Sequence, residues 1–301
     1  MKVGAQDKRR VLINPLKRSD VFRCTHTAHE NFDFSVSAYH VLKEKECYPD
    51  GCIGFKWHCS GMKGNKKCHR GFTTVGKDCT YCKYFSEEKD HRIPKLLITE
   101  EEFAQLHECI NEFESYFKNL RGKIIEFSGV VESVKPQVIE TDSVEGRKLG
   151  GYLVQFNHGY MGIDLIKDKI YAQISIGFQQ RYRLKAGDSL EFRCYVLLES
   201  GRLILKRMRN IQVLDEGDGF IWDRGQALVA LSIGRFLETK PKKCRRCPMG
   251  LLVDSDGEKC GGQRRRIFCL QGIENPKECV YDVYKGYFEP EKKKQMVNSN
   301  Q

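Results

Sequence analysis

No stretch of this chain is apolar for long enough to cross a bilayer, and the first twenty residues (MKVGAQDKRRVLINPLKRSD) lack the apolar core of a secretory signal. Both absences predict a cytoplasmic protein with no membrane partner. In that reducing compartment the 14 cysteines point to metal rather than to disulfides. Also missing are a phosphate-binding P-loop, a dinucleotide Gly fingerprint, a metalloprotease helix motif and any internal repeat. No histidine has a recognisable nucleophile partner. Asp164 and Asp168, beside Lys167 and Lys169, read as a charged turn rather than as paired catalytic carboxylates. A binding protein is therefore expected over an enzyme, and no catalytic residue is named.

At 301 residues, 40% of them hydrophobic, the chain can fold as two or three small packed domains. Its 51 Lys and Arg exceed its 40 Asp and Glu by a formal charge of +11. Eight metal-bound thiolates and two zinc ions would lower that to about +7, compatible with a nucleic-acid partner. The cations concentrate between Lys240 and Arg266, where nine Lys and Arg face only Asp254, Asp256 and Glu258.

Gly122 to Leu214 is the one long region that reads as a β-domain. Ile125, Phe127 and Val131 mark one face of a first strand, with Gly129 where it would bend. Tyr152, Val154 and Phe156 alternate in a second strand, and Ile170, Ala172, Ile174 and Ile176 in a third. A short connector over Phe178 to Leu184 and an Ala186-Gly187-Asp188 turn lead to Leu190, Phe192, Cys194, Val196 and Leu198. Glu199-Ser200-Gly201-Arg202 then predicts a hairpin into Leu203 to Val213. Five strands with a connector after the third, Gly in the first and a Gly-Asp turn before the fourth resemble the OB-fold, a barrel that commonly binds single-stranded nucleic acid. On that reading the outer face presents Tyr171, Gln173, Arg193 and Tyr195, joined by Lys206, Arg207 and Arg209, an aromatic and cationic surface suited to bases and phosphates.

Before this region, Cys47, Cys52, Cys59, Cys68, Cys79 and Cys82 lie in a Gly- and Lys-rich segment with little apolar material to form a core. Cys79-Thr-Tyr-Cys82 has the spacing that wraps one ion, so Cys59, Cys68, Cys79 and Cys82 are the expected ligands, with His58, His69, Cys47 and Cys52 in reserve. Either zinc or an iron–sulfur cluster fits this irregular spacing. Cys24, His26 and His29 form a closer-spaced group nearer the start. Thr99 to Glu102 is a capping box that predicts a helix carrying the stripe Phe103, Leu106, Ile110, Phe113, Phe117 and Leu120 and ending at Gly122. Cys109, on the flank of that stripe, and Cys194 are expected to be buried packing thiols.

After the β-domain, Phe220 to Glu238 reads as a second helix. The knuckle Lys243-Cys244-Arg245-Arg246-Cys247-Pro248 then opens a zinc-ribbon-like unit whose expected ligands are Cys244, Cys247, Cys269 and Cys279, with Cys260 the alternate. Tyr281 to Tyr287 would close it.

The expected fold class is mainly β with flanking helices (α+β), a central OB-like five-stranded barrel between two cysteine-rich metal-binding modules. Its boundaries are a metal module over 1–98, a linking amphipathic helix over 99–121, the barrel over 122–214, a helix over 215–240, the ribbon over 241–288 and a solvated tail over 289–301. Barrel plus ribbon is similar in plan to replication protein A-type single-strand binders. That plan implies a zinc-stabilised protein that holds single-stranded DNA or RNA through the barrel face and the run Arg264, Arg265 and Arg266. Two other functions fit the residues: an iron–sulfur redox or sensor protein, and an assembly subunit whose arginine run docks on an acidic protein.

Overall fold

The computed structural model describes residues 9–279 apart from 27–28, 30–33, 66, 141–146, 240, 242, 245–246 and 256–263. Cys260, the expected closing segment Tyr281 to Tyr287 and the tail lie outside the described residues. The described chain is mainly β with a few helices. It opens with β1 (Val11–Ile13), β2 (Phe22–Arg23), β3 (Ser35–Val36), β4 (Cys52–Cys59), β5 (Phe85–Arg92) and β6 (Lys95–Leu96), followed by helix α1 (Glu100–Leu120). The central part holds β7 (Ile125–Glu140), β8 (Arg147–Phe156), β9 (Gly159–Met161), β10 (Asp164–Lys167), β11 (Ile170–Ile174), α2 (Ile176–Tyr182), β12 (Ser189–Glu199) and β13 (Arg202–Asp215). Then come α3 (Arg224–Ile233), β14 (Arg235–Phe236), β15 (Gly250–Ser255) and β16 (Arg264–Cys269).

Helix α1 starts where its capping box predicts. Thr99 Oγ1 accepts the Glu102 amide at 3.2 Å and Glu102 Oε2 accepts the Thr99 amide at 2.9 Å. Leu106, Ile110, Phe113 and Phe117 are buried, the narrow stripe that the spacing of three and four produces. Cys109 is exposed, against expectation: one position before Ile110 on a helix is already turned out of the stripe. Cys194 is buried as expected.

Strand β7 organises the large sheet because it is long enough to pair twice. Ile125 to Val130 pair with β12, while Val131 to Glu140 pair with β8. Gly129 lies at the changeover, where a side chain would press on the Phe127 ring at 3.2 Å and the His158 carbonyl at 3.1 Å. From β7 the pairing passes through β12, β13, β11 and β8 and returns to β7, all antiparallel except β11 with β13. These strands do not form a simple five-stranded barrel on their own. They belong to an eight-stranded sheet that continues through β9 and β10 to β1, which lies parallel to β10.

The alternating residues fill the space enclosed by the pairing cycle. Phe192 sits 5.1 Å from Phe127 and 6.1 Å from Phe156, ring centre to ring centre, amid buried Tyr152, Val154, Ile170, Leu190, Val196 and Leu205. Asp188 is buried in the turn before β12, where it accepts the Lys185 and Gly217 amides, each at 2.9 Å. Asp164 and Asp168 clamp the amino-terminal strand: Asp164 accepts from the Arg10 amide and the Tyr116 hydroxyl, and Asp168 from Lys17 and Asn14.

Helix α3 is shorter than the expected Phe220 to Glu238. Asp223 and Gln226 cap its start, and after Gly234 the chain is drawn into strand β14 by pairing with β16. Strands β14, β16 and β15 form a small sheet held to β7 by Lys135, whose Nζ donates to the Cys247 carbonyl at 2.8 Å and the Gly250 carbonyl at 3.0 Å. At the other end, β3, β2 and β6 form a sheet over α1, while β4 and β5 pair only with each other in a two-stranded ribbon. Among the described residues no helix is long and apolar enough to cross a membrane.

Candidate nucleic-acid interface and cysteine clusters

The outer face of β12 and β13 collects the cations that the sequence singles out. Arg193 lies opposite Arg209 and Tyr195 opposite Lys206, with a register shift between the two pairs. Strict alternation would send Lys206 to one face and Arg207 and Arg209 to the other. Arg207 instead adopts a left-handed conformation (φ 56°) and its guanidinium lies 5.8 Å above the Tyr195 ring. This bulge brings Lys206, Arg207 and Arg209 to one patch with Arg193 and Tyr195.

Their partners differ. Arg193 pairs with Glu126 at 3.0 Å and Lys206 with Glu199 at 3.0 Å. Among the described residues no acidic side chain pairs with Arg207 or Arg209. Arg193 and Arg209 also line a shallow cleft of about 810 Å³ between α1 and the sheet, together with Tyr116, Glu126 and Asp164. Burial and its bond to Asp164 push the Tyr116 phenol above its ordinary pKa, so it remains a donor through the neutral range.

Tyr171 occupies the same outer face on β11, opposite Ile204, but is half-buried under the amino-terminal segment. Lys17 Nζ lies 5.6 Å over its ring while bonded to Asp168 at 2.7 Å. Gln173, next on that strand, hydrogen-bonds to Gln137 of β7. Arg266 stacks within the small sheet, its guanidinium 3.7 Å over the Phe236 ring. Arg264 and Arg265 lie on β16, with side chains outside the described part.

In the carboxy-terminal sheet, local turns and strand register place Cys244, Cys247 and Cys269, three of the four cysteines the sequence selects, around Gly250. Gly250 is opposite Cys269, and Gly250 packs so closely on the Cys244 carbonyl that no side chain fits there. Its amide bonds to the Cys247 carbonyl at 3.0 Å, and the Met249 amide reaches Cys247 Sγ at 3.4 Å. Cys269 begins a similar turn, closed by the Gly272 amide at 3.2 Å. Cys279 follows a short helical turn capped by Asn275. Burial first, and then the neighbouring Cys247, Cys279 and Cys269, push the Cys244 thiol up, so all four sulfurs are within electrostatic range. Burial also raises Cys247.

The amino-terminal cysteines divide into two groups. Cys52 and Cys59 sit at opposite ends of β4, roughly 23 Å apart at about 3.3 Å per residue. Cys59 lies at the tip of the ribbon with Cys68, Cys79 and Cys82. There the Cys82 amide bonds to the Cys79 carbonyl at 2.8 Å, and Arg70 Nη1 bonds to the Asp78 carbonyl at 2.8 Å, tying the Cys68 turn to the Cys79 turn. The Arg70 amide also points at Cys68 Sγ from 3.4 Å, and with the Phe72 amide holds that thiol below its ordinary pKa. The reserves divide as well: His69 packs on Tyr84 at the tip and His58 faces Glu88 along the ribbon.

Cys47 and Cys52 are at the foot of the ribbon with Cys24, a grouping that sequence spacing did not reveal. Among the described residues no three Cys, His, Asp or Glu side chains are arranged around a common point as metal ligands. No family model matches the chain, nor does any curated protein or solved structure.

Proposed function

We propose that this protein binds single-stranded DNA or RNA in the cytoplasm, on an OB-type barrel formed by the β7–β12–β13–β11–β8 cycle. The observation that carries this reading is the bulged patch of Arg193, Tyr195, Lys206, Arg207 and Arg209 on the outer face. A barrel of this type holds a strand by stacking bases on aromatic rings and neutralising phosphates beside them, and this patch offers both within a few residues. Tyr195 would stack, Arg207 and Arg209 would take phosphates, and Arg193 and Lys206 would contribute after exchanging their glutamates. Tyr171 has a smaller part, because Lys17 lies over it. Arg266 is occupied with Phe236, which leaves Arg264 and Arg265 as the ribbon's contribution.

In this reading zinc at Cys244, Cys247, Cys269 and Cys279, and at Cys59, Cys68, Cys79 and Cys82, holds cysteine-rich loops in shape and takes no part in chemistry. The amide-to-sulfur contact at Cys68 favours the thiolate form that a metal requires, and the Met249 amide at Cys247 acts in the same direction against the larger effect of burial.

The test is a fluorescence titration of labelled single-stranded DNA, single-stranded RNA and duplex across a range of salt. Preference for a single strand, with affinity falling linearly on a logarithmic salt axis, is the expected result. Equal, weak binding to all three would refute it.

A further inference from the structure

Seven cysteines precede helix α1, and the ribbon's tip accounts for four of them. Cys24, Cys47 and Cys52 come from three separate segments: the residue just after β2, the loop ahead of β4, and the first residue of β4. Cys24 is 1% exposed and Cys47 is 4% exposed. The Cys52 thiol is within electrostatic range of both of the others. The backbone is shaped to bring them there. The Cys24 amide bonds to the Phe34 carbonyl at 3.0 Å, and the Gly51 amide bonds back to the Cys47 carbonyl at 2.8 Å. Gly51 is left-handed (φ 87°), which turns the chain so that Cys52 follows beside Cys47. Arg92, opposite Cys52, reaches Thr25 Oγ1 at 3.4 Å and so draws the residue after Cys24 onto the ribbon.

We propose that Cys24, Cys47 and Cys52 are ligands of a third metal site, separate from the two four-cysteine sets, for a thiophilic divalent ion such as zinc. The three thiols are near one another without being arranged as ligands, so the ion would draw them round itself, and each ligating thiol would pass its proton to solvent. A fourth donor is at hand in the same segment: His26 is two residues beyond Cys24, and the His29 ring is 5.9 Å from it. Three thiolates and a divalent ion leave one negative charge, which the Arg92 guanidinium across the ribbon can offset. The site would bolt the foot of the ribbon to the amino-terminal sheet. An isolated two-stranded ribbon is marginal in water, so an anchor at its foot has a structural role whatever the large sheet binds. The alternative is that two buried thiols and the half-buried Cys52 merely pack as small apolar groups.

Cobalt(II) titrated into the full-length, reduced, metal-stripped chain distinguishes these. The Cys24→Ala/Cys52→Ala double variant should bind one cobalt fewer per chain than the parent and lose a matching part of the thiolate-to-cobalt absorption. Equal stoichiometry would overturn the proposal. A second measurement avoids folding defects in the variant: peptide-mapped alkylation of the parent chain, with and without chelator. Cys24, Cys47 and Cys52 should become reactive on chelation while Cys194, buried in the large sheet, stays protected. If all four remain equally protected, the trio is packing alone.

Discussion

Removing Arg207 and Arg209 together separates a nucleic-acid face from an ordinary solvated sheet. Arg193 and Lys206 already have carboxylates at 3.0 Å, so their net contribution to the local field is small. Arg207 and Arg209 carry the unpaired charge of the patch. If each takes one phosphate of a single strand, the slope of log affinity against log salt should flatten by about 1.4 in the double alanine variant. Between 50 and 200 mM salt that removes roughly sevenfold of the parent's loss of affinity. Both side chains are exposed, and replacing them should change stability by no more than about 0.5 kcal/mol, so the comparison is between folded proteins. Tyr195→Ala tests the stacking half of the site and should weaken binding by about 1 to 3 kcal/mol, largely independent of salt. Tyr171→Ala should cost less, because reaching that ring requires Lys17 to leave Asp168. Fluorescence anisotropy on a labelled oligonucleotide reads all three variants. A folded Arg207→Ala/Arg209→Ala protein with unchanged slope, or an unchanged affinity for Tyr195→Ala, would remove this face from the proposal.

Other consequences concern the scaffold. Phe192→Ala, at the centre of the Phe127–Phe156–Phe192 group, should destabilise the large sheet by about 3 to 5 kcal/mol in a urea titration. Burial pushes the Cys194 thiol up to about 12, so its contribution is fully present below the ordinary thiol pKa and is lost as pH rises from about 9 towards 12. Thermal melts should therefore show an alkaline decline that is shallower in Cys194→Ala. Lys135→Met leaves the Cys247 and Gly250 carbonyls without their donor, a loss of about 1 to 3 kcal/mol. Limited proteolysis should then cut the carboxy-terminal sheet sooner while the large sheet resists as before.

Local rules were legible in the sequence wherever they acted alone. The Thr99 capping box, the alternation of Leu190, Phe192, Cys194 and Val196, and the hairpin at Ser200 and Gly201 all fall where neighbouring residues dictate. Long-range pairing could not be read that way. β14 exists because Arg235 and Phe236 pair with β16, which cuts short the apolar stretch that otherwise continues as helix. The hairpin of β9 and β10 leaves no pattern in the sequence because each strand is only a few residues long and depends on β7 and β1 for partners. The patch residues were identifiable by type, but their convergence depends on a bulge at Arg207, a non-glycine residue with positive φ that no pattern announces.

The amino-terminal cysteines show why spacing misled. Cys47, Cys52 and Cys59 look like one cluster in sequence, and they would be one if the chain between them turned. Instead β4 is extended, and every residue from Cys52 to Cys59 increases their separation. The ribbon then needs holding at both ends. It leaves Ile53 62% and Phe55 53% exposed, so burial contributes little to keeping its strands together. Closing the loop over residues 60–84 costs about 3 kcal/mol in chain entropy before any contact is gained. If both sets bind metal as proposed, ligation at the tip would oppose the cost of loop closure and ligation at the foot would oppose detachment. A single four-cysteine site would serve only one of them, whereas the division of the cysteines between tip and foot follows the geometry of the strand rather than their order in the chain.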